Sequence, residues 1–122
     1  MMEQSAQPKI MMIGNDPMLV YLLQRYAEQG GCEMILRSFA PMAAEVRRLK
    51  LVAIIFSSLE YLHTAELLIE DLSAHEVMVL ACVATAEEAR AREYGADICL
   101  VHPLTFENFW AALSPLSPAK PN

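Results

Sequence analysis

The sequence lacks the glycine-rich loops that bind phosphates and dinucleotides. Gly14 stands alone after the first apolar run, so no GxGxxG motif is present, and no GxxxxGK[ST] segment occurs. A GxSxG motif is also missing, which removes the usual nucleophile elbow of a hydrolase. The three histidines, His63, His75 and His102, do not have metal-ligand spacing. These absences argue against the common nucleotide-binding, hydrolytic and zinc chemistries.

Cysteines and basic residues are also few. The three cysteines, Cys32, Cys82 and Cys99, are an odd number without CxxC spacing, and they predict buried thiols in a reduced, cytoplasmic protein. Nine Lys and Arg against 15 Asp and Glu give a net charge of −6, which argues against direct nucleic-acid binding. No apolar run approaches the roughly 20 residues of a membrane span, and the N-terminus is not typical of a signal peptide. We therefore expect neither nucleic acid nor membrane as a partner.

What is present is a regular alternation of strands and helices. Apolar residues make up 55% of the 122 residues, enough for one domain with a generous core. Short apolar runs predict strands over residues 9–13, 32–39, 51–56, 77–82 and 98–101. Helical patterns between and after them cover residues 17–30, 41–50, 60–72, 85–95 and 105–113. The third strand, LVAIIF, is apolar on both faces, as in a central parallel strand covered on both sides. Right-handed crossovers then give a three-layer α/β fold with a doubly wound parallel sheet.

Local signals define helix ends, core positions and domain limits. Asp16 followed by proline predicts the start of the first helix, and Gly30-Gly31 predicts its end. Met42 and Leu67 lie at helical spacing that predicts core contacts. We expect a flexible N-terminal segment over residues 1–8, the domain over 9–114 and a Pro-rich tail or linker over 115–122.

Polar residues near the strand ends leave several chemistries open. Ser57 and Ser58 could be nucleophiles and His102 a general base, although small polar residues that close a strand are more often structural. Cys82 and Cys99 could form a redox pair on neighbouring strands, although buried thiols are more often inert. The sequence alone favours the structural interpretation of each.

Two segments carry a family resemblance. IMMIGNDPML is similar to the pattern I-L-I-V-D-D-x-P-x-x, and GADICLVHPLTFENF is similar to the pattern GAD-x-x-L-x-K-P-F. The residues that match the second pattern are Gly95, Ala96, Asp97, Leu100 and Pro103. In this order, and joined by β-α units of the right size, the segments resemble the receiver domain of bacterial two-component response regulators over residues 9–113. The resemblance implies a flavodoxin-like, CheY-like sheet with strand order 2-1-3-4-5.

The resemblance also implies where a phosphorylation site would lie. Receiver domains use two acids that hold Mg²⁺, a phosphate-accepting aspartate, a hydroxyl residue and a lysine. The corresponding positions in this chain are Gly14, Asn15, Ser57, Ala81 and His102. Phe56 and Ser58 remain alternatives for the aspartate position, and the hydroxyl position is uncertain by one residue. All five positions depart from the family pattern.

These departures remove the charges that phosphotransfer needs. A serine cannot form an acyl phosphate, and without acids, Mg²⁺ or lysine the phosphoryl charge is not offset. The expected protein is therefore a degenerate receiver, or pseudo-receiver, which is not an enzyme and has neither a metal nor a cofactor. The family switch also pairs the hydroxyl with an aromatic residue, and Ala81 and Cys99 stand at those two positions. A phosphorylation-type switch then lacks a bulky side chain to move.

One hypothesis is an enzyme on this fold that uses Ser57 and His102, and two other functions also remain open for such a domain. The first is a phosphorylation-independent signalling module that binds a protein partner or an effector domain, with a homodimer through the fourth helix, fifth strand and fifth helix as one form. Phe106, Phe109 and Trp110 are the candidate partner-binding residues on that face, and their alternative role is in the core. The second is a small-ligand or redox sensor that uses the vacated phosphorylation pocket.

Overall fold

The apolar runs form a parallel sheet. The structure, a computed structural model, describes residues 7–72 and 77–113, so the predictions for residues 1–6 and 114–122 lie outside the described residues. Within that part of the chain the strands are β1 (Lys9–Ile13), β2 (Glu33–Arg37), β3 (Ala53–Phe56), β4 (Met78–Val83) and β5 (Ile98–Val101). Their order is β2-β1-β3-β4-β5, and each neighbouring pair is parallel. The predicted fold class and strand order are confirmed.

Helices follow the strands in the predicted alternation. The helices of the described residues are α1 (Pro17–Gly30), α2 (Ala43–Leu49), α3 (Leu59–Thr64), α4 (Glu66–Leu72), α5 (Glu88–Glu93) and α6 (Phe106–Leu113). A 3₁₀ turn, Thr85–Glu87, leads into α5. Within the described ranges, every helix is too short or too polar to cross a membrane.

Strand β3 shows why the core has two halves. Its four residues are all buried, and consecutive side chains point to opposite faces of the sheet. Ile54 and Phe56 belong to the half that α2, α3, α4 and α5 cover. Ile55 belongs to the other half, where it lies in one cluster with Leu23 of α1 and Phe109 of α6. The three layers predicted from the LVAIIF segment are therefore present.

Helix α1 begins and ends where its sequence predicts. One carboxylate oxygen of Asp16 accepts hydrogen bonds from the backbone N–H groups of Met18 and Leu19, at 3.1 and 3.3 Å. Gly31 ends the helix with φ of 76°, and the following N–H of Cys32 donates to the carbonyl of Ala27 at 2.8 Å. Asp16 is therefore held as a helix cap at the carboxyl end of β1.

The single helix predicted over residues 60–72 is divided at Ala65. The Thr64 hydroxyl donates to the carbonyl of Tyr61 at 2.9 Å, and the Ala65 N–H bonds to the carbonyl of Leu62 instead. A hydroxyl that binds a backbone carbonyl in this way competes with the helical hydrogen bonds. The result is two short helices, α3 and α4, rather than one.

Two predicted core positions are wrong. The side chain of Met42 is 78% exposed, because Met42 is the extended residue before α2 and does not follow the helical period. Leu67 is 82% exposed, and the neighbouring Leu68 is buried instead. The buried face keeps helical spacings of three and four residues through the break at Ala65, and Leu67 lies off that face because it is five positions after Leu62.

Candidate functional site

Three of the predicted positions lie at the carboxyl edge of the sheet. Gly14 follows β1, Ser57 follows β3 and His102 follows β5. The Ser57 N–H donates to the carbonyl of Ile13 at 2.9 Å, and the His102 N–H donates to the carbonyl of Val83 at 3.2 Å. These bonds extend the parallel ladders by one residue beyond the strands. This is the edge at which ligands bind in open α/β sheets.

The Ser57 side chain fills the space beside the Cα atom of Gly14. Gly14 is buried and has φ of 147°, a conformation that other residues rarely adopt. A Cβ atom added at Gly14 would overlap the Ser57 hydroxyl oxygen and lie 2.5 Å from the Ser57 Cβ atom. Ser57 itself is only 8% exposed. The position that the resemblance assigns to an acid therefore has no room for a side chain beside Ser57.

Asn15 is tied to the first turn of α3. The Tyr61 hydroxyl donates to the Asn15 side-chain oxygen at 3.3 Å, at the surface. Ser58 caps α3 by accepting the Tyr61 backbone N–H at 3.2 Å, which fixes the turn from which the ring projects. Sequence reasoning missed Tyr61, because no local signal shows that it reaches a residue 46 positions away.

The register of β4 brings Cys82 to the level of Ser57. Ala81 pairs with Phe56 on one side and with Cys99 on the other, and it is buried in the half of the core that contains Phe56. Cys82 is the next residue and faces the opposite half. Since Ser57 follows Phe56 and Cys82 follows Ala81, the register places Cys82, not Ala81, beside Ser57. Only the strand register could resolve this one-residue difference.

The thiols are poorly placed for redox chemistry. Cys82 and Cys99 pack in opposite halves of the core, so the strands direct their side chains to opposite faces of the sheet. Burial, together with a smaller effect of the negative charge of Asp16, raises the pKa of the Cys82 thiol to about 12. Burial also raises the pKa values of Cys32 and Cys99. Since the thiolate is the reactive form, we expect these thiols to be inert near neutral pH.

The residues present do not fit a magnesium ion. Mg²⁺ is usually bound through one or two carboxylates, and the two acid positions hold Gly14 and Asn15. Asp16 is the nearest carboxylate along the chain, and it caps α1. Asp97 lies at the opposite end of the sheet, where its carboxylate accepts the Val79 N–H at 2.9 Å. Within residues 7–72 and 77–113, no cluster of three or more His, Cys, Asp or Glu side chains could hold a metal.

His102 stands alone at the end of β5. Its side chain is exposed, and the peptide bond to Pro103 is cis. No hydrogen bond joins His102 to Ser57 in the described part of the chain, so a nucleophile–base pair is not formed there. A histidine side chain is also shorter than the lysine side chain that the family pattern has at this position.

The aromatic residues of α6 pack mainly against α1. Phe109 is fully buried, and its ring lies 5.8 Å from that of Tyr26. Phe106 is half-buried, with its ring 5.8 Å from the Tyr26 ring and 6.3 Å from the Trp110 ring. Trp110 is half-buried against the backbone of Gly30. The core role that the sequence left as an alternative holds for Phe109, which offers no surface to a partner.

Comparison with known proteins places the fold. No family model matches the sequence, and no curated protein matches it. Among solved structures, the CheY-like protein tadZ from Pseudomonas aeruginosa matches with a TM-score of 0.74 at 16% identity, covering 91% of this chain and 100% of that one. The receiver domain of the sensor histidine kinase PA1611 from the same organism matches with a TM-score of 0.70 at 15% identity, covering 90% and 97%. The Vibrio cholerae chemotaxis protein CheY4 matches with a TM-score of 0.67 at 13% identity, covering 92% and 100%. The chain has the CheY-like receiver fold.

Proposed function

We propose that this chain is a degenerate receiver domain, a signalling module that acts through protein contacts without phosphotransfer and is not an enzyme. The observation that carries the proposal is the packing of Ser57 against Gly14. Ser57 stands at the aspartate position, and its hydroxymethyl group fills the space that a side chain at position 14 would need. One contact thus joins two positions of the reactive set, and it leaves no room for an acid at position 14.

Electrostatics support the same conclusion. A phosphoryl group that arrives at a receiver needs a divalent cation and a lysine to offset its charge. Here Asn15 offers an uncharged amide, which Tyr61 already contacts, and His102 replaces the lysine. Near the site the described carboxylate is that of Asp16, which would repel a phosphate. The edge therefore has neither the cation site nor the fixed positive charge that the reaction requires.

The partner in this proposal is a protein or an attached effector domain, in a cytoplasmic setting. Receiver-fold domains of known structure include chemotaxis and sensor-kinase proteins, which supports a signalling role by analogy of fold. A homodimer through α5, β5 and α6 is one form of this proposal. Phe106 and Trp110 are partly exposed on α6, whereas Phe109 is fully buried and offers no surface to a second copy.

The test is an amide NMR titration of the full chain, first with Mg²⁺ and then with beryllofluoride, which mimics an aspartyl phosphate. We expect no saturable shifts at Asn15, Ser57 or His102. The receiver domain of PA1611, whose structure has magnesium in the active site cleft, is the matched positive control. Saturable shifts at those three residues, comparable to those of the control, would refute the proposal.

A further inference from the structure

A second surface feature lies between α3, α4 and the end of α5. It is a groove of about 290 Å³ that includes none of the predicted phosphorylation positions. One wall is formed by the rings of His63 and Tyr94, which stack with their centres 4.3 Å apart and their planes 12° apart. Ile69 and Gly95 line the groove between the helices. The function proposed above does not use this groove.

The floor of the groove depends on a close contact. Gly95 has φ of 110°, and a Cβ atom added there would lie 2.5 Å from the Cγ2 atom of Ile69. Only glycine combines this backbone conformation with so close an approach. The contact holds the turn after α5 against α4, and Ile69 itself is only 7% exposed, so the stacked rings form the accessible wall of the groove.

The rim of the groove is acidic. Glu66, Glu70 and Glu93 line it, and its described lining includes neither lysine nor arginine. The chain as a whole carries a net charge of −6. The face of a tyrosine ring also attracts cations, so Tyr94 and the glutamates favour the same sign of charge. Lysine and arginine side chains combine a cationic head with an apolar stem, which matches an acidic rim over an apolar floor.

We propose that this groove docks a segment of a partner protein through a lysine or arginine side chain, with the stem against the Tyr94 ring and the head beside Glu66 and Glu93. The volume is at the small end for ligand pockets, which favours one side chain over a drug-sized molecule. The inference rests on the proposed function, because it names a surface through which a domain without phosphotransfer could bind its partner.

The experiment is an NMR titration of the full chain with the peptide acetyl-Ala-Leu-Lys-Ala-Leu-Arg-amide. A second peptide with glutamine in place of both basic residues is the control. We expect saturable shifts at His63, Tyr94 and Gly95 with the basic peptide and none with the control. The variant Glu66→Gln/Glu93→Gln should weaken binding roughly five- to tenfold, since two partly desolvated charge contacts are lost.

A charge-matched variant separates a specific groove from general attraction to an acidic protein. Glu28→Gln/Glu107→Gln removes the same net charge from exposed positions on α1 and α6, and it should change the dissociation constant less than about twofold. Equal effects of the two double variants would overturn the proposal. So would concentration-dependent groove shifts without peptide, which would assign the groove to a second copy of the chain.

The experiments distinguish an error in the peptide-docking proposal from an error in the proposed function. If the basic peptide produces no saturable shift at millimolar concentration while beryllofluoride also has no effect, the groove assignment is wrong and the degenerate receiver stands. If beryllofluoride produces saturable shifts at Asn15 and Ser57, the proposed function fails whatever the peptide does.

Discussion

Replacing Gly14 with alanine tests the contact on which the proposed function depends. The new Cβ atom would overlap the Ser57 hydroxyl, and overpacking of this kind destabilises a core by about 1–3 kcal/mol. The backbone conformation, with φ of 147°, adds roughly 1–3 kcal/mol for a residue other than glycine. The two effects together predict a loss of about 2–6 kcal/mol in the free energy of unfolding, a large part of the stability of a small domain.

The control for this prediction is Gly31→Ala. Gly31 also has a positive φ, 76°, but a Cβ atom there would meet nothing within 4 Å. Gly31→Ala should therefore show the backbone effect alone, roughly 1–2 kcal/mol. Urea unfolding followed by the fluorescence of Trp110, the only tryptophan, measures both variants.

A double-mutant cycle isolates the overlap itself. Ser57→Gly removes both atoms that the new methyl group would meet, so Gly14→Ala should be less destabilising in that background by about 1–3 kcal/mol. If Gly14→Ala is no more destabilising than Gly31→Ala, or if the coupling with Ser57→Gly is near zero, the packing argument is refuted. In that case an acid could be restored at position 14, and the packing contact would no longer support the proposed loss of phosphotransfer.

Three further predictions concern packing, ionisation and the far end of the sheet. Gly30→Ala should destabilise the domain by about 1–3 kcal/mol and change the Trp110 fluorescence, because the new Cβ atom would lie 2.6 Å from the indole ring. In a helix without such a contact, replacing glycine by alanine usually increases stability. Folding raises the pKa of the Cys82 thiol from 9.0 to about 12. The free energy of unfolding should therefore not depend on this thiol below about pH 9, and it should fall progressively as the pH rises from about 9 to about 12. Urea unfolding between pH 8 and 10.5 should show that decline, and Cys82→Ala should reduce its slope; an unchanged slope would contradict the burial argument. Asp97→Ala should lower the free energy of unfolding by about 1–2 kcal/mol, because the Val79 N–H loses its side-chain acceptor. Asp97→Asn keeps an acceptor oxygen and should have a smaller effect in the same assay. Equal losses for the two variants would contradict this explanation.

Local patterns predict the strands and most of the helices in their order along the chain. The Asp16-Pro17 and Gly30-Gly31 signals act within a few residues of themselves, and α1 begins and ends at them. The apolar segment of β3 predicted a central strand, because both faces of such a strand must be covered. The helix over residues 60–72 was mispredicted because the hydroxyl of Thr64 competes for a carbonyl, which apolar spacing does not reveal.

The same distinction between local and tertiary information applies to the candidate site. The sequence by itself determined which chemical groups are present, and the resemblance assigns the five receiver positions to Gly14, Asn15, Ser57, Ala81 and His102. Only the tertiary structure decided which groups touch. Cys82 lies level with Ser57 through the pairing of β3 with β4, and Tyr61 reaches Asn15 from a different unit. Such contacts depend on strand register and on helix position, which the whole packed core sets, and a shift of one residue reverses the face on which each strand side chain lies.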